Sequence, residues 1–297
     1  EKDVFHLQKI YVLPRFQGTH CGSFLFKEAI KCIKEIHPEP CLMELNVNRN
    51  NKALQFYEHM GMRKLREGDF PIGNGYYMND YIIYDNDVIS NKYIALTFDD
   101  GPGAHTQQLL DILDKYNVKV TFFVTNVNSG YENMIAKEAA AGHTVAIHSA
   151  SHDYKKIYSS VDAYFADLNE MSDIIYAQTG QRPKLIRFPG GSSNTVSLKY
   201  CSGIMTTLTK AVTDQGYKYF DWNVSSGDAG GTTSTEEVYQ NVVNGMKSHN
   251  VSVVLQHDIK GFSVNAVERI IQWGLANGYT FLPLTTSTED VHHGVNN

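Results

Sequence analysis

Seven short runs of β-branched, aromatic and other apolar residues recur between Tyr93 and Leu284, with helical spacing between most of them. The runs are Tyr93–Phe98, Val118–Val124, Thr144–Ile147, Leu185–Phe188, Tyr217–Asp221, Val251–Gln256 and Thr280–Leu284. Apolar residues return every three or four positions in Gln107–Tyr116, Tyr164–Gln178, Glu236–Lys247 and Val264–Asn277, the period of a helix with one buried face. A helix between two strands returns the chain to the sheet in parallel. This alternation over 93–297 therefore predicts an α/β fold, a distorted (β/α) barrel of about seven strands, closed or nearly closed. In such a barrel the chemistry collects on the loops that follow the strands' C-terminal ends.

The chain before Tyr93 is patterned differently. Phe5–Val12 alternates as a strand, Pro14–Gly22 is a turn, and Phe24–Ile36 has helical spacing. Leu42–Val47 reads as a strand, Asn51–Met60 as a helix stopped by Gly61, and Tyr76–Tyr84 as a last strand. The polar stretch from Asp85 to Lys92 separates the two patterns. The expected organisation is a small α+β domain over 1–85, a linker over 86–92 and the barrel over 93–297. A length of 297 residues suits two such domains.

Charge narrows the partners. Residues 1–85 carry 11 basic and 11 acidic side chains, whereas 86–297 carry the whole net charge of −6. Neither part has a basic cluster, so nucleic acid and anionic membrane surfaces are not expected partners. No apolar run approaches the ~18–20 residues that span a bilayer. Glu1 is not an initiator methionine, and Glu1–His6 lacks a signal peptide's basic start and apolar core. A trimmed start, with a leader missing, is therefore an expectation. Cys21, Cys32, Cys41 and Cys201 include no CxxC pair and make no disulfide framework, which points to a reducing compartment.

Polar groups cluster where the barrel strands end. Asp99 and Asp100 follow the first strand in Thr97-Phe98-Asp99-Asp100-Gly101-Pro102. Paired carboxylates there can divide metal binding from proton transfer, although Asp-Gly-Pro is also a common turn. His148-Ser149-Ala150-Ser151-His152 follows the third strand, and an i, i+4 histidine pair on a helical turn can grip one divalent ion. With Asp100 the pair makes an Asp-His-His set that leaves a coordination position for water. Arg187-Phe188-Pro189-Gly190-Gly191 follows the fourth strand, Trp222 to Asp228 the fifth, and Val254-Leu255-Gln256-His257-Asp258 closes the sixth. Taken singly, Arg187 could be a surface ion-pair residue and His257 a core histidine. Their recurrence at successive strand ends favours one shared site.

This order of motifs resembles the polysaccharide deacetylase family, which includes chitin and peptidoglycan N-acetylglucosamine deacetylases and acetylxylan esterases. The likeness covers nearly all of 93–297. It implies that Asp99 is the catalytic base, that Asp100, His148 and His152 hold one divalent metal, zinc by expectation, and that His257 is the catalytic acid. It further implies that Arg187 orients Asp99, that Asp228 orients His257, and that Leu255 lines the pocket for the acetyl methyl group. The chemistry is coherent: a metal-bound water as nucleophile, deprotonated by Asp99, and an oxyanion held by the metal and a backbone N–H near Gly190. His257, kept protonated by a carboxylate, would supply the amine leaving group with its proton. Two departures bear on the groove. Where the family often has Arg-Pro-Pro-Tyr, this chain has Arg187-Phe188-Pro189-Gly190; where it often has Asp-Trp, this chain has Asp228-Ala229. Trp222 could replace a stacking surface or belong to the core.

Leu7 to Gly22, with Gln17-Gly18-Thr19-His20-Cys21-Gly22 before a helix, resembles the acetyl-CoA-binding segment of GNAT N-acetyltransferases, in which turn amides and a helix N-terminus receive the pyrophosphate. Asn50, Ala53, Tyr57 and Gly61 match that family's next motif, with Tyr57 as its usual general acid. The resemblance implies an acetyl-CoA site around Gln17, Gly18, Gly22, Asn50 and Tyr57. His20 stands at the motif's middle glycine and the family's first elements are missing, so a partial, purely structural GNAT-like domain is the alternative.

The expected function is a metal-dependent hydrolase that removes N-acetyl groups from N-acetylglucosamine-containing polysaccharide of the peptidoglycan or chitin type. O-acetyl ester cleavage on xylan-type glycans, a bifunctional protein with acetyltransferase activity, and a carbohydrate-binding pseudoenzyme are the competing readings. The full proton-transfer set argues against the last. A cytoplasmic location follows from the cysteines and the GNAT-like half, and a cell-surface or secreted one from the deacetylase half.

Overall fold

The structure, a computed structural model, describes residues 4–8, 10–19, 21–37, 41–48, 51–60, 62–73, 76–85, 93–286 and 288–297. The chain divides into two compact units, Glu1–Ser90 and Asn91–Asn297. The 86–92 linker lies outside the described residues.

In the first unit the elements run β1 (Val4–His6), α1 (Cys21–Ile36), β2 (Leu42–Asn46), α2 (Leu54–His59), β3 (Arg63–Gly73) and β4 (Tyr76–Asp85). The sheet order is β1-β2-β4-β3, with β1 parallel to β2 and both other ladders antiparallel. Met43 and Leu45 alternate into the core from β2, where Phe26 and Ile30, one helical turn apart, meet them from α1. Two sequence expectations change here. The first strand is Val4–His6 rather than Phe5–Val12, since it pairs only along β2 at an edge. Strand β3 appears where none was expected. Its charged, Gly- and Pro-containing sequence lacks strand alternation, and an edge strand tolerates that because one side of its backbone needs no partner.

In the second unit the strands are β5 (Tyr93–Asp99), β6 (Thr121–Thr125), β7 (Thr144–Ser149), β8 (Leu185–Ile186), β9 (Lys218–Tyr219), β10 (Val224–Ser225), β11 (Val251–His257) and β12 (Thr280–Phe281). The helices are α3 (Thr106–Lys115), α4 (Met134–Ala140), α5 (Tyr154–Ile157), α6 (Val161–Thr179), α7 (Ile204–Asp214), α8 (Thr235–Lys247) and α9 (Gly261–Ala276). Every ladder is parallel, in the order β10-β11-β5-β6-β7-β8-β9, with β12 on the first residues of β5. Among the described residues no ladder joins β9 to β10, so the curled sheet is an open half-barrel rather than a closed barrel. The two-residue β10 escapes sequence reading because a strand that short shows no period. Helix α6 starts three residues before its apolar pattern, because the Ser160 hydroxyl caps it by accepting from Ala163 N, and Gly180 ends it in the left-handed region at φ 70°.

The central strands β5, β6 and β11 are buried along both faces. Ala95, Phe123, Ala146, Leu185, Phe220 and Val253 form one cluster with Leu284, while Ile94, Leu96, Phe98 and Phe122 pack with the helices in another. Strand side chains alternate between faces. Two residues beyond Ala95, and then four, stand Thr97 and Asp99; two beyond Ala146, Leu185 and Val253 stand His148, Arg187 and Leu255, and His257 follows Leu255 by two. The interior face of the sheet therefore changes from apolar to ionisable at the strands' C-terminal ends.

Candidate active site

Arg187 is the hub of this polar layer and is fully buried (0% exposed). Its Nη1 donates to Asp99 Oδ1 at 2.8 Å and to Thr97 Oγ1 at 2.6 Å; Nε donates to Phe220 O at 3.0 Å and Nη2 to Asp221 O at 2.8 Å. The guanidinium also lies 4.2 Å from the Phe123 ring centroid. A buried guanidinium needs this many acceptors and a counter-charge. The arrangement leaves Asp99 with one oxygen held and the other, Oδ2, 3.9 Å from His148 Nε2.

Asp100, His148 and His152 present ligand atoms that all lie within 4.8 Å of one another. Asp100 follows β5 with φ 69°, in the left-handed region, and its carboxylate, like that of Asp99, approaches His148 Nε2. His148 sits where the β6–β7 register shifts, Val124 pairing with Ile147 and Thr125 with Ser149, so no partner opposes it. His148 Nδ1 donates to Arg187 O at 2.8 Å, which fixes the tautomer and turns Nε2 toward Asp100 Oδ1 at 3.4 Å. His152 Nε2 approaches the same oxygen at 3.2 Å. Asp100 Oδ1 is buried without a hydrogen-bond partner. Imidazole lone pairs converging on an unpartnered carboxylate oxygen are a donor set that fits a divalent cation, with two nitrogens and one oxygen on offer. Burial alone would raise the Asp100 carboxyl, but the imidazoles of His148, His152 and His257 outweigh it and hold it well below the ordinary carboxylate range.

The two histidines do not share a helical turn, in contrast to the sequence expectation. Strand β7 ends at Ser149, and His152 has φ 49°. The loop takes its shape from Asp167 on α6: Oδ2 accepts from Ser149 Oγ (2.6 Å) and Ala150 N (2.9 Å), and Oδ1 from Ser151 N (2.9 Å) and Ser151 Oγ (2.5 Å). Ser149 Oγ in turn accepts from His152 N at 2.8 Å. Asp167 was not among the residues singled out in the sequence. Its signal was a lone carboxylate on the face of α6 that otherwise carries Tyr164, Leu168, Met171 and Ile175.

Next to Asp99, on the adjacent strand, His257 is paired with Asp228. His257 Nδ1 donates to Asp228 Oδ1, and His257 N to Oδ2, each at 2.8 Å. His257 Nε2 then faces Asp100 Oδ2 at 3.7 Å. Burial works against the imidazolium, but Asp228, with Asp99 and Asp100 beyond it, prevails and raises the His257 pKa above the ordinary value. Burial also raises Asp228, yet His257, Ser263 and Ser226 more than offset this and lower its pKa.

The remaining candidates separate. Leu255 is buried in β11, in register with Thr97. Gly190 is exposed, with φ 76°, and its neighbour Gly191 donates to Phe188 O at 2.8 Å. Asp221, also not singled out beforehand, shapes this turn by accepting from Ser192 N (2.8 Å), Ser192 Oγ (2.5 Å) and His293 N (2.8 Å). Trp222 is half-buried against the interior cluster and His293, with ring centroids 4.6 Å apart. Tyr154, next to the histidine loop, is half-buried; burial, with Asp100 and Asp99 nearby, pushes its hydroxyl up to about 12. In the first unit Gln17 Nε2 donates to Val12 O at 3.3 Å, Gly18 has φ 81°, Gly22 lies in α1, and Tyr57 is buried against the rings of Phe26 and Phe56. Asn50 lies outside the described residues.

Comparison with known proteins follows the division of the chain. The polysaccharide deacetylase family model matches residues 87–205, and the model of the acetyltransferase (GNAT) domain matches residues 1–71. A peptidoglycan-N-acetylglucosamine deacetylase of Bacillus cereus is 34% identical over 197 residues, covering 64% of this chain and 68% of the relative. A chitin deacetylase of Pestalotiopsis is 30% identical over 202 residues, 65% of this chain and 62% of that protein. The crystal structure of the catalytic domain of a peptidoglycan N-acetylglucosamine deacetylase from Eubacterium rectale is 69% identical, with a TM-score of 0.69 over 69% of this chain and 94% of that one.

Proposed function

The chain belongs to the polysaccharide deacetylase family of hydrolases, and on that premise we propose that it removes N-acetyl groups from an N-acetylglucosamine-containing polysaccharide of the peptidoglycan type, with a divalent metal, zinc, held by Asp100, His148 and His152. The observation that carries this reading is the unpartnered Asp100 Oδ1 between two imidazole nitrogens, flanked by a carboxylate on one side and an imidazolium-favouring histidine on the other. The peptidoglycan substrate class rests on the Bacillus and Eubacterium relatives.

Asp100, His148 and His152 would hold the divalent cation, which would supply polarisation of an acetyl carbonyl and acidification of water near neutrality. Asp99 uses Oδ2 to take a proton from the attacking water, while Arg187 on Oδ1 keeps the carboxylate aimed. His257 gives a proton from Nε2 to the amine nitrogen as the C–N bond breaks, and Asp228 on Nδ1 keeps that proton available. The Gly190 amide, which makes no hydrogen bond among the described residues, is placed to donate to the developing oxyanion. Leu255 walls the space for the acetyl methyl group.

Acetate release is the direct test, measured on peptidoglycan, chitooligosaccharide and acetylxylan with and without a chelator. Chelator-sensitive release from peptidoglycan is expected. Release confined to acetylxylan would replace the amidase reading by that of an ester hydrolase, and release unaffected by chelation would remove the metal.

A further inference from the structure

On the reading that this site hydrolyses an acetyl group, we propose that the Tyr154 hydroxyl is a catalytic donor to the acetyl oxygen, sharing the developing oxyanion with the Gly190 amide. Tyr154 opens α5, two residues after His152. Its ring lies edge-on to His152, centroids 5.6 Å apart, and to Tyr158 at 5.5 Å. Tyr158 is itself anchored, because its hydroxyl donates to Pro189 O at 2.7 Å, the carbonyl just before Gly190. The Tyr154 ring is thus wedged between a candidate metal ligand and a residue tied to the Gly190 turn.

The wedge delivers the hydroxyl to Gly190. A Cβ at that position would lie 2.7 Å from the Tyr154 hydroxyl oxygen and 3.2 Å from Asn194 Cβ. Gly190 also has φ 76°, so both backbone and space call for glycine. A tyrosine from the neighbouring loop occupies the room that a side chain on this turn would need. Gly190 is exposed and Tyr154 half-buried, so the hydroxyl sits at an edge that an incoming glycan can reach. It lies within electrostatic reach of Asp100 and Asp99.

Two donors meet there unspent. Unlike Tyr158, Tyr154 makes no hydrogen bond through its hydroxyl among the described residues, and neither does the Gly190 amide. Both are open to a substrate oxygen, which can accept from them without displacing a bond within the protein. An oxygen that gains negative charge in the transition state accepts most strongly, which makes the pair a device for rate rather than for ground-state affinity.

The test uses the full chain loaded with zinc, with 4-nitrophenyl acetate and an N-acetylated chitooligosaccharide as parallel substrates, since an oxyanion forms on both. Tyr154→Phe keeps both ring contacts and removes only the donor. It should lower kcat by about 10²-fold, with KM changed by less than about twofold and zinc content equal to wild type. An unchanged kcat overturns the proposal. So does a rise in KM alone, which would make Tyr154 a ground-state sugar contact, or a loss of zinc in proportion to activity, which would make it a prop for His152. A wild type that cleaves the aryl acetate but not the glycan refutes the proposed amidase function, while Tyr154→Phe on the aryl acetate still decides this inference.

Discussion

Asp99 and His257 are register partners on the adjacent parallel strands β5 and β11. Partners in a parallel ladder project to the same face, so the proposed base and the proposed acid stand side by side over the barrel interior. Each is then turned by a different neighbour, Asp99 by Arg187 from β8's end and His257 by Asp228 from β10's end. One ladder position thus carries two opposite proton-transfer tasks, separated by the charge of the group behind each.

The first prediction concerns the metal. Purified protein should hold about one divalent ion per chain, and His148→Ala should hold much less by elemental analysis. Asp100→Asn should lose metal too, since its Oδ1 is the oxygen that both imidazoles approach. Equal metal content in wild type and His148→Ala would remove the ligand assignment.

Asp99→Asn is nearly isosteric and leaves all three metal-site residues in place. It should retain the ion while the rate falls by ~10²–10⁴-fold, the usual worth of a general base. Metal loss in this variant would instead make Asp99 a ligand, consistent with its 3.9 Å approach to His148 Nε2.

His257→Ala should slow amide hydrolysis by a similar ~10²–10⁴-fold but cost much less on an activated aryl acetate, whose leaving group departs without a proton. The measured quantity is the ratio of amide to aryl-ester rates, with circular dichroism confirming the fold. An unchanged ratio would require another proton donor. The raised His257 pKa adds a pH signature: amide hydrolysis should persist above the ordinary histidine range and fall once the imidazolium loses its proton. Asp228→Asn removes the chief opposing charge, so the alkaline limb should move to lower pH.

Glu138, on α4, is fully buried with both carboxylate oxygens unpartnered, and burial, aided by Asp258, raises its pKa well above the ordinary value. A group whose folded pKa is raised stabilises the protein fully below its unfolded pKa, and that contribution is lost as pH rises toward the folded value. Glu138→Gln removes the linkage. The variant should gain in Tm relative to wild type as pH goes from 5 to 8, with the smallest difference at pH 5. A pH-independent difference would mean that the carboxyl is not the source.

A chain beginning at Asn91 should fold and keep deacetylase activity, because every group of the candidate site lies beyond that point and the Eubacterium catalytic domain aligns over 94% of its own length. Soluble but inactive protein would show that the first unit takes part in the reaction.

Much of the barrel was open to reading from composition and period alone. Strands buried on both faces, such as β5, β6 and β11, are continuous apolar runs, and the polar residues that interrupt them do so at their ends, where loops begin. Asp99, Asp100, His148, His152, Arg187 and His257 were therefore visible in one dimension as ionisable residues at successive strand ends. Short or edge elements were not, because β3 and β10 carry no periodic signal of their own.

What only the tertiary structure decided is how those ends are held. Arg187 reaches Asp99 across 88 positions, Asp167 folds the histidine loop from a helix, Asp221 shapes the glycine turn, and Tyr154 fills the space that Gly190 leaves. A carboxylate that accepts backbone N–H groups, or a hydroxyl that occupies another loop's vacant volume, has no spacing rule to betray it. Sequence periodicity records which face a residue turns to. The partner it meets there depends on how neighbouring strands and helices pack, and that is set by the whole core at once.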